Sequence, residues 1–336
     1  MHFAENTVTA QSILAAYEGI RPYIKHTPLI RAERLEELFG GAEIYLKLEN
    51  MQYTGSFKVR GVANKMRSLR KEELARGVTA ASSGNHAQAV AFMASRLGTE
   101  AVIVMPENAP TAKIEGAMGY GAQVVLYGFT GEDRDYKCNE LIEKYGYCLV
   151  HSHTDPLVIA GHGTVVTEIA EQIHDLTGGS FDEIIFPCGA GSLASGGALA
   201  SKSLMPHIRV TAVEPAAVPR FTDSMKAGEP VTVEMGQTFA DGLRVSKAEP
   251  INFALIRDYV DNLITIGEEP IYQAVRQAVL RSKIVAEPSA CVGLAAALDG
   301  KIDMSAGRKV CFVITGGNMD AQVLSDLLAG RLGSAL

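Results

Sequence analysis

The sequence has no excess of positive charge, no membrane-length apolar run and no paired-cysteine spacing, and each absence removes a class of function. Lys and Arg number 31 against 38 Asp and Glu, a formal net charge of -7. A nucleic-acid partner therefore has no electrostatic support. No apolar stretch approaches the roughly 20 residues that cross a bilayer, so no membrane partner is expected. Met1 to Gln11 is polar and lacks the charged-then-apolar pattern of a secretory signal. Cys138, Cys148, Cys188, Cys291 and Cys311 are odd in number and never spaced as Cys-x-x-Cys. They read as free thiols in a reducing compartment, the cytoplasm, rather than a disulfide frame or zinc site. His151 and His153 have no carboxylate or cysteine at zinc spacing. Ser192 and Ser195 lack the setting of a nucleophile elbow, and no repeat or low-complexity tract is present.

What is present fits a globular enzyme. The 336 residues, 47% hydrophobic and 21% charged, are enough for about two domains and a sizeable core. Ala101 to Met105, Glu183 to Phe186, Val210 to Val213 and Val310 to Ile314 are apolar runs, as expected of strands covered on both faces. Between them, Val90, Met93, Ala94 and Leu97, and again Val166, Ile169, Ala170 and Ile173, recur at helical spacing. The alternation predicts an α/β fold with two mostly parallel sheets wrapped by helices. Val78 to Pro106 and Ile184 to Pro215 both read strand, turn, helix, strand. We read residues 54–147 as a smaller domain inserted in a larger one (1–53 and 148–336), with a cleft between.

Four segments carry chemistry. Thr54-Gly55-Ser56-Phe57-Lys58-Val59-Arg60-Gly61 follows the strand-like run Ile44 to Glu49. A lysine beside an aromatic ring and between glycines suits a buried amine that reaches a flat ligand. Out of water its pKa falls, it becomes a nucleophile, and it forms Schiff bases with aldehydes, pyridoxal phosphate above all. A solvated lysine on a helix from Val59 to Leu69 is the plain alternative. Ser82-Ser83-Gly84-Asn85-His86 precedes a helix expected over Ala87 to Leu97. Free N–H groups at a helix start suit an anion, here a substrate carboxylate, with ordinary capping as the alternative. Cys188-Gly189-Ala190-Gly191-Ser192-Leu193-Ala194-Ser195-Gly196 also joins a strand to a helix. It suits a phosphate. A dinucleotide is the rival ligand, with Glu214 placed for a ribose, which would make an NAD-dependent oxidoreductase; yet Gly189 to Gly196 is one residue too long for that fingerprint. Close packing through small residues is the third reading. Finally, Thr315-Gly316-Gly317-Asn318 ends a strand where open sheets bind ligands. A hydroxyl beside a pyridine nitrogen does not force its protonation, which suits elimination.

Ser56 to Gly61, Ser82 to Ala89, Cys188 to Gly196 and Thr315 to Asn318 stand in the order and spacing of one family. Residues 26–29, 105–125, 161–164, 240–242 and 286–289 extend the likeness over roughly 20 to 325. The chain resembles the serine/threonine dehydratases and serine racemases, fold-type II pyridoxal phosphate enzymes that include hydroxyectoine-utilisation dehydratases. The resemblance implies that Lys58 holds pyridoxal 5'-phosphate as a Schiff base and then takes the Cα proton. It places Phe57 behind the ring, Asn85 on its hydroxyl and Thr315 at its nitrogen. Gly189, Ala190, Gly191, Ser192 and Leu193 cradle the phosphate, Ser82, Asn85 and His86 receive the substrate carboxylate, and Gly242 joins the substrate site. Ser83 takes the position that handles a proton on the opposite face in racemases. The implied reaction is loss of the β-hydroxyl from an L-threonine- or L-serine-like substrate, giving a 2-oxo acid and ammonia. Racemisation, or dehydration of a specialised hydroxy amino acid, is the alternative.

Three departures qualify this. The phosphate loop, usually four glycines, reads Gly-Ala-Gly-Ser. The family's cation site keeps Glu214, but Arg220 replaces its Asp; a guanidinium repels a cation and is available to pair with Glu214. No metal is expected. His151-Ser152-His153 replaces the usual His-Pro-Phe or His-Pro-Asn, so His153 is expected to face a more polar or longer substrate than threonine. At this length no C-terminal regulatory domain is expected. A homodimer is expected.

Overall fold

The computed structural model describes residues 7–331; the ends of the expected large domain, 1–6 and 332–336, lie outside the described residues. Among the described residues the strands are β1 (Leu29–Arg31), β2 (Glu43–Leu48), β3 (Val78–Ala81), β4 (Ala101–Met105), β5 (Gln123–Leu126), β6 (Cys148–Leu149), β7 (Glu183–Pro187), β8 (Arg209–Pro215), β9 (Asn262–Ile266) and β10 (Lys309–Ile314). They form a six-stranded sheet in the order β1-β2-β10-β7-β8-β9 and a four-stranded sheet in the order β5-β4-β3-β6. Every pairing is parallel except β1 with β2. The expected boundary before residue 148 falls just short of β6, which pairs with β3 in the smaller sheet through Val78↔Cys148 and Thr79↔Leu149.

Period-two alternation divides the large sheet's side chains between two cores. Ile44, Leu46, Ile185, Val310 and Phe312 pack toward the helices Glu268–Ser282 and Pro288–Leu298. Tyr45, Ile184, Phe186, Cys311 and Val313 pack toward Ala10–Ile20, Pro156–Thr177 and Ser192–Leu204. The small sheet is covered by Lys58–Arg67 and Asn85–Leu97 on one face and by Gly131–Tyr145 on the other. The central strands of both sheets are buried on both faces, which is why they read as unbroken apolar runs.

Helix Pro156–Thr177 fastens the halves together by backbone-to-backbone packing. A Cβ on Gly161 would lie 2.6 Å from the Arg60 carbonyl oxygen and 2.7 Å from the Gly61 Cα. Two residues on, a Cβ on Gly163 would lie 2.8 Å from the Gly196 carbonyl oxygen. One helix thus touches the Lys58 helix on one side and the helix after the 188–191 loop on the other.

Beside that contact lies a fully buried ionic network. Arg60 donates from Nε and Nη2 to the two Glu49 oxygens, each at 2.7 Å, and from Nη2 to Glu168 Oε1 at 3.0 Å. Lys47 Nζ completes it at 2.5 Å from the same Glu168 oxygen. No methyl fits the helix contact without backbone movement. Gly163→Ala is expected to lower stability by about 1–3 kcal/mol, read as an earlier midpoint in urea unfolding. An unchanged midpoint would show that the helices can separate freely.

Candidate active site

The C-terminal ends of β2, β3, β7 and β10 feed one cleft of about 590 Å³ between the sheets. Lys58, Ser82, Ser83, Asn85, His86 and Thr315 line it, as do residues 189–193, Phe57, His153 and Gly242. Every site residue expected from the sequence is therefore gathered here.

Two helices of 13 residues begin at the cleft, and neither has a side-chain N-cap. At Asn85–Leu97 the Ser82 hydroxyl accepts from the Gly84 N–H at 3.3 Å, so it does not cap the helix proper. At Ser192–Leu204 the preceding residue, Gly191, has φ 93°. A Cβ there would lie 2.6 Å from Cζ of Phe221, so only glycine fits. The N–H groups of Gly189, Ala190, Gly191, Ser192 and Leu193 have no acceptor among the described residues. Five successive unsatisfied donors at a helix start form an anion cradle. The alanine and serine in this loop do not obstruct it. Ser192 Oγ is drawn aside to His162 Nδ1 at 3.1 Å.

Lys58 is the first residue of its helix. Its Nζ lies 5.0 Å from the Phe57 ring centroid and 3.4 Å from the Ser152 carbonyl oxygen. Burial pushes the amine down to about 8, opposed by the Glu287 carboxylate. Burial, with the Lys58 charge next, pushes His86 down to about 3. The same two causes hold His162 well below its usual range, and burial and His151 do so for His153. His153 Nδ1 shares a 2.7 Å hydrogen bond with Ser152 Oγ, and its ring stands edge-on to His151 at 4.7 Å.

Phe57 N–H donates to the Thr315 carbonyl at 3.0 Å, which ties the approach to Lys58 to the end of β10. Sequence reasoning passed over Glu287. Its Oε1 accepts from Asn85 Nδ2 at 2.9 Å, and burial, then Asp241, pushes its carboxyl up to about 8. It also passed over Lys113, whose 3.0 Å bridge to Asp241 spans the cleft between the two halves. A lone glutamate and a surface lysine carry no local signal of such pairing.

One expectation is corrected. Arg220 makes no ion pair with Glu214, although both are fully buried: its hydrogen bonds go to backbone carbonyls. The Glu214 oxygens instead accept from the Phe221 and Thr222 N–H groups, at 3.2 and 2.8 Å. These open helix Arg220–Ala227, and a carboxylate satisfies them better than it would a side chain that has other partners. Fully buried and so committed, Glu214 offers nothing to a ribose, and the dinucleotide reading of the 189–196 loop falls with it.

A nucleophilic amine and a phosphate-sized cradle of N–H donors within one cleft suit an α/β enzyme that grips a phosphorylated aldehyde by both ends. The family model described as pyridoxal-phosphate dependent enzyme matches residues 20–316, and the chain belongs to that family. It is 40% identical over 321 residues to an L-threonine ammonia-lyase of Thermotoga maritima, covering 96% of this chain and 78% of that one. It is 37% identical to an L-threo-3-hydroxyaspartate ammonia-lyase of Saccharomyces cerevisiae, covering 96% and 97%. Maize serine racemase superposes with a TM-score of 0.89 at 34% identity, over 97% of this chain and 98% of that one. The fold is type II and the cofactor is pyridoxal phosphate.

The lowered pKa has a direct consequence. Near pH 8 about half of the Lys58 amines in cofactor-free protein are neutral, against roughly one in 300 for an ordinary lysine. Borohydride trapping with pyridoxal is expected to label Lys58 first, the rate rising through pH 8. A Lys58 midpoint above pH 10 by peptide mass spectrometry would refute the assigned shift.

Proposed function

We propose that this enzyme removes water from a β-hydroxy amino acid by α,β-elimination, and that the enamine so released takes up water to give a 2-oxo acid and ammonia. The observation that carries this is the sharing of one cleft by the Lys58 amine and the five free N–H groups of residues 189–193. Pyridoxal phosphate supplies the aldehyde that Lys58 engages and a ring that draws electron density from Cα. The N–H groups of Gly189, Ala190, Gly191, Ser192 and Leu193 would hold its phosphate. Phe57 would stand behind its ring, Asn85 would meet its hydroxyl and Thr315 its nitrogen. Lys58 would take the Cα proton; an amine with a pKa of about 8 is suited to that exchange near neutral pH. The uncapped start of Asn85–Leu97, with Ser82, Asn85 and His86, receives the substrate carboxylate. Gly242, whose N–H is held by Ser289 Oγ at 2.9 Å, and His153 border the substrate side chain. Two related polypeptide units enclose the cleft, the smaller spanning about 54–150 so as to include β6.

His153 supports a polar side chain on the substrate. Arg134 and Arg244 also line the cleft, and the yeast relative's name specifies hydroxyaspartate. A second activity, racemisation, is supported by Ser83, which lines the same cleft as Lys58. We place the enzyme in the cytoplasm as a homodimer. All five cysteines are free, which supports the compartment; no helix among the described residues is long and apolar enough to cross a membrane.

A screen of threonine, serine and 3-hydroxyaspartate, each as all stereoisomers, scoring 2-oxo acid and D/L product, tests the reading. Turnover of at least one is expected, with Lys58→Ala inactive and His153→Phe shifted toward threonine. A protein without the visible band of pyridoxal phosphate, inactive on all of them, would overturn it. No divalent cation is required, since Arg220 brings a positive charge beside Glu214 and the carbonyl groups around it. Activity and melting temperature are expected to be unchanged by EDTA. Loss restored by Mg2+ would contradict this.

A further inference from the structure

The carbonyl groups behind the phosphate cradle are held from the side opposite the cleft. Arg220 is fully buried, and its two terminal nitrogens donate only to backbone carbonyl oxygens. Nη2 reaches Cys188 O at 2.9 Å and also Gly189 O. Nη1 reaches Val218 O at 3.1 Å and Leu243 O at 3.3 Å. The next carbonyl of the loop, Ala190 O, accepts from Asn252 Nδ2 at 3.0 Å. In a planar trans peptide the C=O and the following N–H point in opposite directions. Holding the carbonyls of 188, 189 and 190 from behind therefore turns the N–H groups of Gly189, Ala190 and Gly191 the other way, into the cleft. Those three N–H groups are among the five that have no acceptor among the described residues.

The geometry points to Arg220 as a positioning residue for phosphate recognition, with Asn252 as its companion: the guanidinium fixes the peptide planes of residues 188–190, so that the free N–H groups face the phosphate. Arg220 itself makes no contact with the ligand. Gly189 and Ala190 have little side chain to pack, so their peptide planes would otherwise swing. A lysine cannot replace the guanidinium. It has a single nitrogen, and four carbonyl oxygens from three segments need a planar fork. The inference rests on the proposed use of residues 189–193 as the phosphate site.

The test compares two ligands that differ only in the phosphate. Full-length protein is stripped of cofactor, and affinity for pyridoxal phosphate and for pyridoxal is measured by absorbance titration. Circular dichroism and thermal melting of the cofactor-free protein are recorded alongside. Arg220→Lys and Arg220→Gln are expected to weaken pyridoxal phosphate on the order of 30-fold, the loss of charge-assisted donors to one ligand group. Pyridoxal should weaken by no more than about 3-fold, since its ring and aldehyde contacts remain. Inorganic phosphate should protect wild type, but not the variants, against thermal unfolding. Equal weakening of both ligands would assign Arg220 a general structural role and overturn the inference, as would unchanged affinity for both. If neither variant accumulates folded, Asn252→Ala, which frees the third carbonyl, gives the same comparison: selective loss of pyridoxal phosphate supports the inference and equal or no loss overturns it. Wild type that binds neither ligand would instead sink the cofactor site itself.

Discussion

The active site depends on one close contact, the passage of helix Pro156–Thr177 between two others at glycines 61, 161, 163 and 196. Lys58 opens one of those neighbours and the phosphate cradle opens the other. The spacing between amine and cradle is therefore fixed by backbone lying on backbone, the stiffest contact a folded chain offers. Longer side chains at these glycines would separate the helices and pull apart the two ends of the ligand site. His162, between Gly161 and Gly163, makes use of the narrow gap. Its ring stands edge-on to Phe57 at 4.7 Å and its Nδ1 lies 3.1 Å from Ser192 Oγ, so one side chain touches both helices.

The ionic network beside this contact governs the other degree of freedom, rotation of the Lys58 helix. Arg60 lies two residues after Lys58 and is gripped by Glu49 and Glu168, while Lys47 balances the second carboxylate. Two positive and two negative groups leave the cluster neutral. Such a buried cluster adds little net stability over an apolar equivalent, but losing one member strands the rest. Its value here is directional: a bidentate guanidinium admits few orientations.

The fold was legible in the sequence because parallel strands buried on both faces cannot alternate with polar residues, and Ala101 to Met105 or Val310 to Ile314 could be little else. The site was legible where chemistry demands a local run of residues: Lys58 among small neighbours, and a strand-to-helix loop of glycine, alanine and serine. What escaped was pairing across distant segments. Arg220 lies six residues from Glu214, and opposite charges at that spacing invited a bridge. The actual partners are carbonyl groups at 188, 189, 218 and 243, and every residue has a carbonyl, so none is marked in the sequence. Glu287 and Asn85 are 202 positions apart, and only the meeting of β10 with the small half brings them together.

Those unmarked pairings explain how the cleft receives anions with so little fixed charge near the amine. The phosphate loop presents N–H dipoles rather than cations, and burial keeps His86, His153 and His162 neutral around Lys58. Glu287 follows the same rule from the acidic side. With its carboxyl pushed up to about 8, roughly nine-tenths of it is protonated at pH 7. A neutral carboxyl accepts and donates at once, and the hydrogen bonds leading to it have a direction. Asn318 Nδ2 donates to Asn85 Oδ1 at 2.8 Å, and Asn85 Nδ2 donates to Glu287 Oε1 at 2.9 Å. The chain of dipoles runs from the end of β10 to a carboxyl that still holds a proton.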